Sequence, residues 1–410
     1  MPVGFGRLWT AQTVSSLGDG VTQAALPLLA LALTRDPMAL AVVTAAGTLP
    51  WLLFGVHGGA LVDRWDRRRT MWIADAGRAV LLVIPALAAV LDVLSIPLLA
   101  AVAFLLGLGG LFFDTAATAY LPELLRRDPA LLERANSRLR GTQTAMSGFA
   151  GPPAGSALLA LGRSVPLVAD AVSFTLSALL VRSLPATSAP VAEAGESLLR
   201  QARAGAAYVF KDRLLLGLAL RPAVGNIAFL AVETVLPLFA HERLGIHTYG
   251  YGLLLTAEAT GGLLGAGIAS FLGRRLGTGT ALTCTAALEG LAVMGLAAAP
   301  NAYAAGCALA VCGAGMGATM VLAPSLRQAV VPPHLMGRVA STSRMLAMCA
   351  APFGAFLGGW LATAYGIRTP LFAAAGLLLT MTAITASMTG NRRVDAALTA
   401  AAPATAPAAV

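Results

Sequence analysis

Apolar residues in this chain run in long unbroken blocks, neither alternating as in a strand nor recurring on one helical face. Twelve of these blocks reach the roughly 20 residues a helix needs to cross about 30 Å of hydrocarbon. They fall at 10–34, 39–62, 71–91, 97–121, 136–161, 165–184, 214–240, 249–272, 279–299, 301–325, 338–364 and 369–389. Most are separated only by short polar breaks, so consecutive spans run antiparallel. The pattern predicts an all-α membrane protein with twelve transmembrane helices. Internal prolines such as Pro50 and Pro352 predict kinks.

Two polar stretches depart from this rhythm. Within 185–213, PATSAPVAEAGES reads as a flexible linker and LLRQARAGAAYVF as a short helix on the membrane surface. Beyond Asn391 the segment AALTAAAPATAPAAV is Ala/Pro-rich low complexity, expected to be disordered. The chain also repeats across the linker. ALPLLA at 25–30 matches VLPLFA at 235–240, and DPALLERANSRLR at 128–140 matches PPHLMGRVASTSR at 332–344. A weaker echo joins GGALVDRWDRRRT at 58–70 to GAGIASFLGRRLG at 265–277. The domains predicted are a six-helix bundle at 1–184, a linker at 185–213, a second bundle at 214–390 and a tail at 391–410. Two parallel repeats place a substrate cavity between them near mid-membrane.

Composition removes the soluble alternatives. Charged residues are 11% of the chain, against about 25% for a soluble domain, and mean hydropathy is +0.77. The net charge of +9 would suggest nucleic acid in a soluble protein. Here 22 of the 28 basic residues fall on one side of the predicted spans and four on the other. That bias predicts both termini in the cytoplasm and accounts for the charge without nucleic acid. The start of the chain imitates a secretory signal ending at Ala30-Leu31-Ala32, but Asp19 and Gln23 interrupt it and it reads as the first span. Four cysteines and four histidines are scattered, with no CxxC or metal-ligand spacing. No phosphate-binding loop and no nucleophile–base pair appears. Neither catalytic residues nor a metal or other cofactor is expected, and the chain does not read as an enzyme.

Polar residues inside the spans carry the candidate chemistry. Gln12, Ser15 or Ser16, Asp19 and Gln23 recur at spacings of three and four, which puts them on one helical face. A carboxylate in mid-span costs at least about 2.5 kcal/mol, so Asp19 should face a cavity or a partner. There it can exchange a proton, contact a substrate cation, or serve as a structural hydrogen bond to a neighbouring helix. Asp75 and Arg78, at i and i+3 on span three, are close enough to pair. Asp114 on span four can reach either Arg78 or the cavity. In the second half, Asn226 and Glu233 on span seven and Glu258 on span eight are further candidates. Glu233 matches Gln23 in the repeat, so the two should line the cavity from related helices.

The motifs resemble those of the major facilitator superfamily. Gly59-Ala60-Leu61-Val62-Asp63-Arg64-Trp65-Asp66-Arg67-Arg68 is similar to its loop signature G-x-L-A-D-R-x-G-R-R, with Asp66 in place of the glycine. Gly151-Pro152-Pro153-Ala154-Gly155-Ser156 resembles the end of an exporter signature, G-P-x-x-G-G, although Ser147 stands where an upstream glycine is usual. LGDGVTQAALPLLA, FFDTAATAYLP and the ERAN/GRVAS pair resemble the branch of enterobactin exporters and macrolide efflux proteins. The likeness extends over residues 5–390.

The resemblance implies a latch between the halves. Asp63 would face the start of span eleven near Arg338, where a helix N-terminus favours an anion. Arg64, Arg67 or Arg68 would pair with Glu123. Pro152 and Pro153, between Gly151 and Gly155, would form a rigid kink that limits proton leak, though close helix packing is the simpler use of these small residues. Span three is usually peripheral, which makes Asp75–Arg78 a structural ion pair and sets Glu289 in span nine aside. The arginine many proton antiporters carry in span four is missing. The implied function is a monomeric secondary exporter in the cytoplasmic membrane, moving amphipathic small molecules (drug, antibiotic or siderophore-like) against protons. A nutrient importer on the same fold, or a non-transporting receptor, is the alternative.

Overall fold

The computed structural model describes residues 3–62, 65–126, 128–185 and 206–401, and its regular structure among them is helical throughout. In chain order the helices are α1 (Val3–Leu33), α2 (Pro37–Val62), α3 (Arg67–Val90), α4 (Ile96–Leu124), α5 (Pro129–Gln143), α6 (Gly151–Leu161) and α7 (Val165–Arg182). The second half has α8 (Arg213–Leu244), α9 (Thr248–Leu276), α10 (Thr278–Ala298), α11 (Ala302–Val330), α12 (Pro333–Tyr365) and α13 (Thr369–Thr389), followed by α14 (Asn391–Ala401). A carboxylate or amide opens several of them. Asp66 accepts from the Arg69 amide at the start of α3, Asp212 from Leu214 and Leu215 on α8, and Asn301 from Ala304 on α11. These caps satisfy amides that a helix start leaves without partners.

Eleven of the described helices are long and apolar enough to cross a membrane. The fifth predicted span is not one of them, because it is broken into α5, a π-helical turn at Thr144–Ala150, and α6. The cause is local. Pro152 and Pro153 supply no amide hydrogen to the preceding turn, so the hydrogen-bond ladder shifts register there, and the Gly151 amide reaches back to the Met146 carbonyl.

The pairings repeat between the halves. In the first, α1 packs on α6 and α7, α2 on α4, and α3 on α7; in the second, α8 packs on α12 and α13, α9 on α11, and α10 on α13. Across the divide α2 meets α12 and α6 meets α9. Apolar packing between the halves is uneven along the molecule. At the end where α1 begins and α13 finishes, here the terminal end, one cluster around Phe5, Met71 and Tyr120 belongs to the first half and another around Leu215, Leu282 and Val339 to the second. At mid-depth Ala45 joins Leu230, Ala351 and Ala355. At the opposite end Leu28 enters the second half's core and Leu238 enters the first's. Gly359 lies so close to Ala41 and Pro37 there that a Cβ would collide with both. The halves are therefore sealed at the loop end, and their terminal-end cores stay separate.

Two expectations change. Residues at the start of the predicted disordered tail form α14, with Val394 buried against the second bundle's terminal-end cluster. In the LLRQARAGAAYVF stretch the described residues 206–210 are helical, but Val209 is fully buried in that same cluster.

Candidate functional site

The polar face of α1 opens onto a cavity of about 380 Å³ between the halves, beside the mid-depth packing. Gln12, Ser15, Ser16, Asp19 and Gln23 all line it, as their three-and-four spacing predicts. Thr44, Thr48 and Trp51 come from α2, Arg78 from α3, Phe113 and Asp114 from α4, and Leu230 and Glu233 from α8. The wall thus combines two aromatic rings with three carboxyls and one guanidinium.

Arg78 is the hub of the charges. Its guanidinium pairs with Asp75 on the same helix and reaches Asp19 across 3.4 Å. Asp75 is fully buried and also accepts from the Ser177 hydroxyl at 2.5 Å. The guanidinium lies over the Phe174 ring at 4.0 Å, with Phe113 at 5.3 Å, and its aliphatic stem packs on Gly109. Held this way, Arg78 is only 5% exposed, whereas Asp19 is 49% exposed to the cavity. The expected pairing of Asp75 with Arg78 is present, but Arg78 is no peripheral residue: it connects a buried carboxylate to one that faces the cavity.

Sequence reasoning passed over Asp170 of α7. This buried residue accepts from Thr22 at 2.5 Å and from Ser173 at 2.9 Å, which ties α7 to α1 one turn from Asp19. The available signal was the one used for Asp19, a carboxyl in an apolar span (LVADAVSF). Trp51 was likewise missed.

The second-half candidates separate. Glu233 reaches the cavity and accepts from the Gln23 amide at 3.3 Å. Asn226 spends its amide on the Ala347 carbonyl at 2.8 Å, joining α8 to α12. Glu258 on α9 is close enough to Glu233 for their charges to interact but is not part of the cavity wall. Glu289, set aside above, accepts from Thr319 at 3.1 Å and neighbours the charge of Arg221, whose guanidinium donates to the Leu282 carbonyl.

At the terminal end Arg67 pairs with Glu123 and donates to the Ala119 carbonyl at 3.2 Å, and Arg68 donates to the Leu184 carbonyl at 2.8 Å. Of the two described candidates, Arg67 and Arg68, Glu123 therefore takes Arg67. Asp66, the departure from the loop signature, is the residue that caps α3. Asp63 and Arg64 lie outside the described residues, and Gly59 and Arg338 are described for their helical backbone alone. In α6, Gly151 abuts the backbone of Gly20 and Gly155 that of Val21, while the Pro152 carbonyl sits against Gly252 of α9. The Gly151–Gly155 stretch thus packs one helix against both halves.

Among the described residues no three His, Cys, Asp or Glu side chains converge as metal ligands. The nearly repeated bundles and the cavity on their common axis define a major facilitator transporter, and solved structures agree on the fold. A bacterial homologue of the iron transporter ferroportin, in its inward-facing state, superposes with a TM-score of 0.75 at 15% identity, covering 95% of this chain and all of that one. The chain belongs to the transmembrane secretion effector family, whose model matches residues 3–408. It is 29% identical to the multidrug efflux pump Tap of Mycolicibacterium fortuitum, over 94% of this chain and 96% of the relative. It is 23% identical to macrolide efflux protein A of Streptococcus pyogenes, over 95% and 97%. That family makes it a transporter of the superfamily rather than an enzyme.

Proposed function

We propose that this protein exports amphipathic, positively charged small molecules from the cytoplasm in exchange for protons, by rocking its two halves about the central cavity. The observation that carries this reading is the Asp19–Arg78–Asp75 chain. A proton on Asp19 weakens its hold on Arg78, and a substrate cation competes for the same carboxylate, so proton and substrate occupy Asp19 in turn. Glu233 and Asp114 add negative charge on the facing walls, while Trp51 and Phe113 offer apolar surface to the rest of the molecule. The efflux names of the two relatives support the outward direction. The basic bias of the terminal end supports a cytoplasmic placement of that end. The state described, sealed at the loop end, then presents the cavity to the cytoplasm.

The driving force suffices without ATP. One monovalent cation exchanged for one proton moves no net charge, so the pH difference drives it at about 1.4 kcal/mol, a tenfold gradient, per pH unit. A second proton per cycle adds about 2.3 kcal/mol for each 100 mV of potential. The test is uptake of a fluorescent cationic dye into everted vesicles. Accumulation that needs an acidic lumen and collapses with a protonophore supports the proposal. Accumulation indifferent to the proton gradient, or dye movement only in the opposite direction, overturns it.

A further inference from the structure

Arg344 of the opposite half packs against the cavity wall. It lies a third of the way along α12, inside the predicted span 338–364. Its guanidinium sits over the ring of Trp51, 5.0 Å from the centroid. The Asp114 carboxylate, whose stronger charged neighbour is Arg78, is also near enough to interact electrostatically with Arg344. Trp51 and Asp114 both belong to the cavity wall, so an aromatic face of the first half already holds a cation supplied by the second, with a carboxylate nearby on the same wall. The hydroxyls flanking Asp114 do not compete for that role, since Thr115 and Thr118 donate to backbone carbonyls.

The contrast with Arg78 decides what each arginine can do. Arg78 is clamped by Asp75 and two rings and is almost wholly buried. Arg344 is exposed and is held by one ring and a more distant charge, an arrangement that another cation can displace.

We propose that Arg344 is a tethered stand-in for the substrate's cationic group, occupying a Trp51–Asp114 subsite that a hydrophobic organic cation must take from it. Substrate entry then breaks a contact between α2 and α12, one of the pairs that span the two halves, so occupancy is transmitted to their separation. This rests on the export reading and specifies which part of the cavity takes the positive charge.

The test is tetraphenylphosphonium binding to the purified full-length protein in lipid nanodiscs, run beside dye export by the same variants in vesicles. Arg344→Ala should bind the cation about tenfold more tightly, because the internal competitor is gone, yet export more slowly. Arg344→Lys should bind near the wild-type level. Trp51→Leu should weaken binding and cancel the gain when combined with Arg344→Ala. Arg344→Gln replaces Arg344→Ala if the alanine variant does not reach the membrane. A merely structural Arg344 would lose binding and export together, and that result overturns the proposal. Unchanged binding in the variant, or no binding by any form, overturns it as well. The proton dependence of dye uptake is scored separately, so the export reading can stand or fall apart from this one.

Discussion

The side-chain amide of Gln23 donates to the Glu233 carboxylate across 3.3 Å, and the two residues stand 210 positions apart at matching places in the two repeats. Equivalent side chains of two repeats touch only beside the axis that relates them, so this bond marks the axis and puts it through the cavity. Rocking of the halves must stretch or turn it. Gln23→Leu removes the donor and leaves Glu233 without this partner on the cavity wall. Export of a cationic dye should fall several-fold, while Glu233→Gln, which can still bond to Gln23, should keep the protein folded and lose mainly affinity for the cation. Equal effects of the two changes on dye affinity would argue against Glu233 as a contact for the substrate.

Asp19→Asn keeps the shape of the side chain and removes its charge. Proton-driven export should drop by at least tenfold, while exchange of labelled for unlabelled drug without a gradient continues. Proteoliposomes with imposed pH gradients measure both. Undiminished proton coupling would move the coupling carboxyl to Asp114 or Glu233.

Arg67 and Glu123 are 12% and 23% exposed, so removing one strands the other largely out of water. Arg67→Gln should lower stability by about 2 kcal/mol, read as a fall in melting temperature in detergent. The exchange Arg67→Glu with Glu123→Arg should recover part of that loss, and absence of any recovery would show that the pair itself does not carry the effect.

Asp66 caps α3 through the Arg69 amide at 2.8 Å. Asp66→Ala should cost about 1 kcal/mol and Asp66→Gly only a few tenths, with Asp66→Asn neutral. Thermal unfolding ranks the three. Transport by Asp66→Gly, which restores the commoner loop signature, should remain near wild type.

Much of this was legible before any coordinates. The polar face of α1 followed from spacing alone, and the repeat placed Glu233 opposite Gln23. What the sequence hid was reach and register. Helical spacing pairs Asp75 with Arg78, but it cannot show that the long guanidinium passes Gly109 and crosses the Phe174 ring to reach Asp19. The resemblance to the superfamily pointed the wrong way here, because a peripheral helix can still send one long side chain inward. Asp170 was hidden because its partners, Thr22 and Ser173, are hydroxyls that apolar spans carry routinely. The break in the fifth span was hidden by composition, since the residues on both sides of Gly151 are apolar enough to read as one helix.

The tight approach of Gly359 to Ala41 and Pro37 reaches beyond the cavity. The loop end stays shut because one residue of α12 lacks a side chain. A single added methyl there would wedge the seal and tilt the balance between the two facing states without touching any group that meets the drug. Selection on efflux therefore has two separate targets: the chemistry of the binding wall, and a steric set-point at the far end. Changes at the second would shift the transport rates of unrelated substrates together, and would be missed by any search confined to the pocket.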